Sequence, residues 1–124
     1  MPTRSAVLVV DDNPSMLRGI KRLLREHGVV AEVFETGAAL LERGGFDGAA
    51  CLIIDVNLSD GSGIELRHRL TDLGVDLPVI YITGNDNHAT RMAATASGCI
   101  AYLTKPFTAQ SLMESIEKVM ASAT

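Results

Sequence analysis

A chain of 124 residues has room for one hydrophobic core, since a typical domain takes roughly 100 to 150 residues. Its 47% apolar content suits a folded domain and argues against disorder. Eleven Lys and Arg against fifteen Asp and Glu leave a formal charge of −4, so no chain-wide positive field draws nucleic acid or anionic lipid, and no apolar run approaches the roughly 20 residues that cross a bilayer.

The amino end lacks the basic start and long apolar stretch of a signal peptide. The expectation is a cytoplasmic chain with one domain over residues 1–124, no output domain, and no direct contact with membrane or nucleic acid. Cys51 and Cys99 form no CxxC pair and have no histidine at metal-ligand spacing, which leaves them as reduced core residues rather than zinc ligands.

The first element is Ala6 to Val10, a nearly continuous apolar run of the kind that forms a strand buried on both faces. Asn13 then reads as a helix cap with Pro14 at the first helical position, and Met16, Ile20, Leu23, Leu24 and His27 recur at helical spacing up to Gly28. Val29 to Phe34 is a second strand, and Glu32 in its middle marks a sheet edge with one wetter side. A helix over Thr36 to Arg43 stops at Gly44-Gly45. Ala49 to Ile54 is the third strand; Ser62 to Leu73 is the third helix, with Ile64, Leu66, Leu70 and Leu73 as its apolar face and Gly74 as its stop.

Pro78 to Ile82 is the fourth strand. The fourth helix, near Asn87 to Ser97, has only Ala89, Met92, Ala93 and Ala96 to turn inward, so its packing is expected to be thin and easily shifted. Cys99 to Leu103 is the fifth strand. A last helix, capped by Thr108, places Leu112, Ile116, Val119 and Met120 on one stripe and then frays into Ala121 to Thr124.

Strands alternating with helices predict an α/β fold, a doubly wound parallel sheet covered on both faces, with the flavodoxin-like (βα)5 strand order 2-1-3-4-5 as the natural candidate. In such a sheet the carboxyl ends of the strands share one edge, and ligands bind there. Asp11 and Asp12 follow the first strand, Asp55 the third, Thr83 the fourth, and Lys105 lies just past the fifth, so five polar residues converge on one crevice.

Two carboxylates about 4 Å apart repel by roughly 4 kcal/mol at an effective dielectric of 20, and a third makes matters worse. Lys105 offsets part of this; the remaining negative charge suits Mg²⁺, which takes one or two carboxylates, waters and a phosphate oxygen. Asp55, central and at the end of the most hydrophobic strand, is the best nucleophile, and carboxylates do form acyl phosphates. Lys105 and the Thr83 hydroxyl could each meet an equatorial oxygen of a transferring phosphoryl group.

Val9-Val10-Asp11-Asp12, Asp55 with Gly63 eight residues on, Thr83-Gly84 and Lys105-Pro106-Phe107 together resemble the receiver domains of two-component response regulators, over nearly the whole chain. The resemblance implies that Asp55 is the phosphoacceptor, that Asp11 (through water) and Asp12 bind the metal, and that the backbone carbonyl of Asn57 completes an Mg²⁺ site. It implies that Thr83 and Lys105 contact the phosphoryl group, that the bond before Pro106 is cis and aims Lys105 inward, and that Tyr102 is a switch aromatic moving with Thr83. It implies a sensor histidine kinase or histidine phosphotransfer protein as donor. It also implies an effector met through the face of the fourth helix, fifth strand and fifth helix, and a possible phosphorylation-dependent dimer. Ser59 departs from the pattern, because most members carry proline there, and its loop is expected to be looser. Asn57 and Asn85 are expected to tune phosphoryl lifetime.

Each residue also has a plainer reading: Asp11 and Asp12 as a solvated acidic turn before a helix, Thr83 as a turn residue, Lys105 as a surface lysine, Tyr102 as a half-buried edge tyrosine. Phe107 reads as core, and His27, His68 and His88 as solvated helix residues. A dehalogenase-type phosphatase would place its nucleophile after the first strand in a DxD pattern, whereas Asp11-Asp12-Asn13 stands here. A flavin binder would want a Ser/Thr/Gly-rich phosphate loop where this chain has two carboxylates. A phosphorylation-independent scaffold would not need all five polar residues.

Overall fold

The computed structural model describes residues 6–122. Five parallel strands form the sheet: β1 (Ala6–Val10), β2 (Ala31–Phe34), β3 (Ala49–Asp55), β6 (Val79–Thr83) and β7 (Ala101–Thr104), in the order β2-β1-β3-β6-β7. Renumbered within the sheet this is the expected 2-1-3-4-5 order. Between β3 and the third helix lies a small antiparallel hairpin absent from the expectation, β4 (Asn57–Leu58) and β5 (Gly61–Ser62). Two-residue strands carry too little hydrophobic alternation to be seen in sequence.

The three central strands are apolar on both sides because helices cover both. Val7, Val9, Cys51, Ile53, Ile80 and Ile82 pack with α1 (Pro14–Glu26) and α5 (Ala109–Ser122). Leu8, Val10, Leu52, Ile54, Val79 and Tyr81 face α2 (Gly37–Arg43), α3 (Gly63–Asp72) and α4 (His88–Ala96). Asn13 caps α1, its side chain accepting from the amides of Ser15 and Met16, with Pro14 at the start. Thr36, Ser62 and Asn87 cap α2, α3 and α4 in the same manner. Thr108 Oγ1 accepts from the Ser111 amide at the start of α5.

Glu32 stands on the edge strand β2, as its polarity suggested, and receives a two-pronged hydrogen bond from Arg43 of α2 at 2.8 Å on each oxygen. The hydrogen bond from Arg43, which outweighs the opposing effect of desolvation, holds the Glu32 carboxyl below its ordinary pKa.

Several expectations need correction. Val29 and Val30 precede β2 instead of forming it, and Cys99 and Ile100 precede β7. In α1 the buried residues are Leu17, Ile20 and Leu24, while His27 is exposed as the helix C-cap. Leu73 caps α3 and is exposed rather than part of its apolar face. In α4 the buried residue is Ala94; Ala89, Met92, Ala93 and Ala96 are exposed. The helix is as thinly packed as expected, but through the opposite set of positions, because a run of small residues carries no periodicity strong enough to set its phase. Helix α5 continues through Ser122, and residues 123–124 lie outside the described part.

Both cysteines are free; Cys51 is buried, which pushes its thiol up to about 12, and Cys99 is half-buried. Phe107 is half-buried against the α1/α5 core, and His27, His68 and His88 are exposed.

Candidate functional site at the strand ends

The register Val10↔Ile54 sets Asp11 beside Asp55, and Thr83 ends β6 next to Thr104 of β7. Lys105 follows, its amide donating to the carbonyl of Thr83 at 2.7 Å. The ends of β1, β3, β6 and β7 therefore present their polar residues at one place.

Lys105 Nζ donates to Asp11 Oδ2 at 2.9 Å and to Asp55 Oδ2 at 2.8 Å. Asp11 is fully buried and Asp55 nearly so, whereas Asp12 is exposed. One carboxylate oxygen from each of Asp11, Asp12 and Asp55 lies within 4.8 Å of the others. Three carboxylates share one ammonium, so negative charge is left over, and that donor set fits a hard divalent cation held by oxygen. Mg²⁺ therefore fits the residues present.

The second oxygen of Asp55 is also held: Oδ1 accepts from the amide of Asn57, the first residue of β4, at 2.9 Å. Burial raises the Asp55 carboxyl above its usual range, and the charge of Asp11 adds to this, while Lys105 and the Asn57 amide oppose it. For Lys105 burial acts downward, but hydrogen bonds to Asp55 and Asp11 outweigh it and the ammonium is held above its usual pKa. The two directions have different causes: removal from water penalises the charged form of Asp55, whereas Lys105 gains from a hydrogen bond to each of two carboxylates.

Thr83 is fully buried; its Oγ1 accepts from the Asn85 amide at 3.0 Å and from Asn57 Nδ2 at 3.4 Å. The Lys105–Pro106 bond is cis. Tyr102 lies half-buried on β7 and its hydroxyl donates to Asp86 Oδ1 at 3.0 Å. Arg91 of α4 pairs with Asp86 Oδ2 at 2.7 Å and stacks 4.6 Å from the Tyr102 ring centre.

Sequence reasoning missed three residues around this site. Asp86 and Arg91 hold Tyr102, and nothing in their spacing pairs them with a residue on a later strand. Asp60, in the turn of the β4/β5 hairpin, accepts from the amides of Gly37 and Ala38, both at 3.1 Å. Those amides, Ala38 foremost, lower the Asp60 carboxyl below its usual range. The Asp60-Gly61 pair was a legible turn signal, but its partner was not.

A doubly wound five-stranded sheet of this order defines a flavodoxin-like α/β protein, here with an acidic cluster and a lysine at its carboxyl edge. The response regulator receiver domain family matches residues 7–117, and the chain belongs to that family. It is similar to the response regulator protein TmoT of Ectopseudomonas mendocina, 30% identical over 116 residues, which are 94% of this chain and 53% of TmoT. It is also similar to nodulation protein W of Bradyrhizobium diazoefficiens, 32% identical over 114 residues, 92% of this chain and 50% of that protein. The chain thus spans about half the length of these curated relatives. Among solved structures, a CheY-like receiver domain protein from Methanospirillum hungatei superposes with a TM-score of 0.87 at 26% identity, covering 96% of each chain. Among the described residues no helix is long and apolar enough to cross a membrane.

Proposed function

We propose that this receiver domain is a phosphorylation-activated switch whose Asp55 accepts a phosphoryl group from the phosphohistidine of a sensor histidine kinase or histidine phosphotransfer protein. The observation that carries the reading is the Asp55 carboxylate itself, nearly buried, with one oxygen held by Lys105 Nζ and the other by the Asn57 amide. An oxygen of Asp55 bonds to phosphorus as the phosphorus–nitrogen bond breaks; the electron pair leaves with the imidazole, which takes up a proton. Lys105 offsets charge on the transferred group, and Thr83, once its hydroxyl leaves Asn57 and Asn85, meets another oxygen. Asp11, Asp12, Asp55 and the backbone carbonyl of Asn57 would hold Mg²⁺, which when bound neutralises the negative charge that these carboxylates and the phosphoryl oxygens accumulate. The domain acts only on itself, adding and losing its own phosphoryl group, and is not an enzyme with an external substrate.

In the second half of the reading, inward movement of Thr83 draws Tyr102 away from Asp86 and shifts α4, β7 and α5 for an effector or a second copy. Helix α4 buries only Ala94, which supports its being the element that moves. A full reversal from 1:99 to 99:1 needs about 5.5 kcal/mol of differential stabilisation, and smaller shifts need less.

Intact-mass analysis after exposure to acetyl phosphate tests the chemistry. The expected result is one added phosphoryl group with Mg²⁺, none without it, and none in Asp55→Asn. Labelling that persists in Asp55→Asn would refute the assignment.

A further inference from the structure

We propose that Asp60 is a positioning residue for Asp55: it clamps the β4/β5 hairpin to the start of α2, and the hairpin in turn orients the Asp55 carboxylate through the Asn57 amide. Both ends of this chain of contacts are direct hydrogen bonds. Asp60 Oδ1 and Oδ2 accept from Gly37 and Ala38, and Asn57 donates to Asp55 Oδ1 at 2.9 Å. Only the two-residue strands β4 and β5 lie between them, paired Asn57↔Ser62 and Leu58↔Gly61.

A two-stranded hairpin this short has almost no stability of its own, so it needs an external anchor. The inner anchor is the Gly63 amide, which donates to the Val56 carbonyl at 2.7 Å. The outer anchor is Asp60. Thr36 already caps the Ala39 amide, so Asp60 completes the first turn of α2 by taking the two amides that Thr36 leaves. The carboxylate also sits where α2's positive end favours it.

Ser59 gives the clamp its reason in this chain. Ser59 and Asp60 are the central residues of the turn, and neither has a positive φ. Proline, with φ preset near −65°, suits the first central position of such a turn and would stiffen it covalently. With serine in that place the turn is restrained from outside, by Asp60 on α2.

Two measurements on the purified domain decide the matter, one of them independent of the receiver reading on which the Mg²⁺ arm rests. Amide hydrogen exchange by NMR reads the Asn57 amide directly, and isothermal titration calorimetry reads Mg²⁺ affinity. In Asp60→Ala, exchange at Asn57 is expected to accelerate severalfold. The Mg²⁺ dissociation constant is expected to rise about fivefold, as when the competent loop is populated about a fifth of the time. Asp60→Asn, which keeps one acceptor, should fall between. Adding Ser59→Pro to Asp60→Ala should return both readings to within about twofold of the parent, because a stiff turn no longer needs the clamp. A loss of charge alone, or a general loss of stability, would not be rescued in this manner. Unchanged exchange at Asn57 in Asp60→Ala, or no rescue by Ser59→Pro, overturns the inference. Failure of the parent itself to bind Mg²⁺ would instead overturn the receiver chemistry, with the Asn57 exchange still deciding the clamp.

Discussion

Gly63 lies so close to Asp55 that a β-carbon on it would overlap the Asp55 main-chain carbonyl and press on Ile54 Cγ2 at 2.6 Å. The contact is backbone against backbone, with α3 starting directly over the end of β3. It explains why a glycine stands eight residues after the candidate phosphoacceptor: α3 can reach the strand end only if this position has no side chain.

Gly63→Ala is therefore expected to destabilise the domain by about 2 kcal/mol, the usual size of an overpacking penalty. It should also weaken Mg²⁺ binding, because the displaced carbonyl belongs to Asp55. Urea unfolding gives the first quantity and calorimetry the second; a variant as stable as the parent would show that the two elements separate without cost.

The hydroxyl of Tyr102 is held above its ordinary pKa of about 10 by burial first, and then by the hydrogen bond to Asp86 and that residue's charge. Arg91 acts in the opposite direction. Removing Asp86 takes away two of the raising influences, so in Asp86→Ala the Tyr102 midpoint should fall toward the ordinary value. The other tyrosine, Tyr81, is raised by burial and bonded to Ser97, and should not move. Ultraviolet absorbance titration resolves the two, and an unshifted pair of midpoints would mean that Asp86 does not hold Tyr102 in solution.

Helix α4 offers a test of its phase. Ala94 has no exposed surface while Ala93 is exposed. Ala94→Met should cost about 1 to 3 kcal/mol by overfilling the contact with the sheet, whereas Ala93→Met should stay within about 0.5 kcal/mol of the parent. Equal effects on thermal unfolding would place both residues in the same environment and contradict the packing described above.

Much of the fold was legible because its decisive signals are local. Ala6–Val10 was read with its observed bounds, the third strand one residue short at its end and the fourth one residue off at each end, since a strand buried on both faces is a short unbroken apolar run. Asn13 and Thr108 were legible as caps because a cap bonds amides only two or three residues away, and Thr36, Ser62 and Asn87, read as the first residues of their helices, prove to be the caps. Where the local signal was weak the reading slipped: Leu73 is apolar yet lies past the last turn of α3, and the alanines of α4 gave no direction to its buried side. The meeting of Asp11, Asp55 and Lys105 was also readable, since the topology alone brings the ends of β1, β3 and β7 to one edge.

From the order of its residues alone this chain is determined to be a doubly wound α/β protein with acids, a threonine and a lysine at the strand ends, because burial patterns and caps act over a few residues. Only the folded structure decided which groups those residues touch: Asp60 on the amides of Gly37 and Ala38, Asp86 and Arg91 around Tyr102, Asn57 on Asp55. Contacts of this kind join surface loops and helix ends whose distances are set by how whole elements pack, and no periodicity along the chain encodes that.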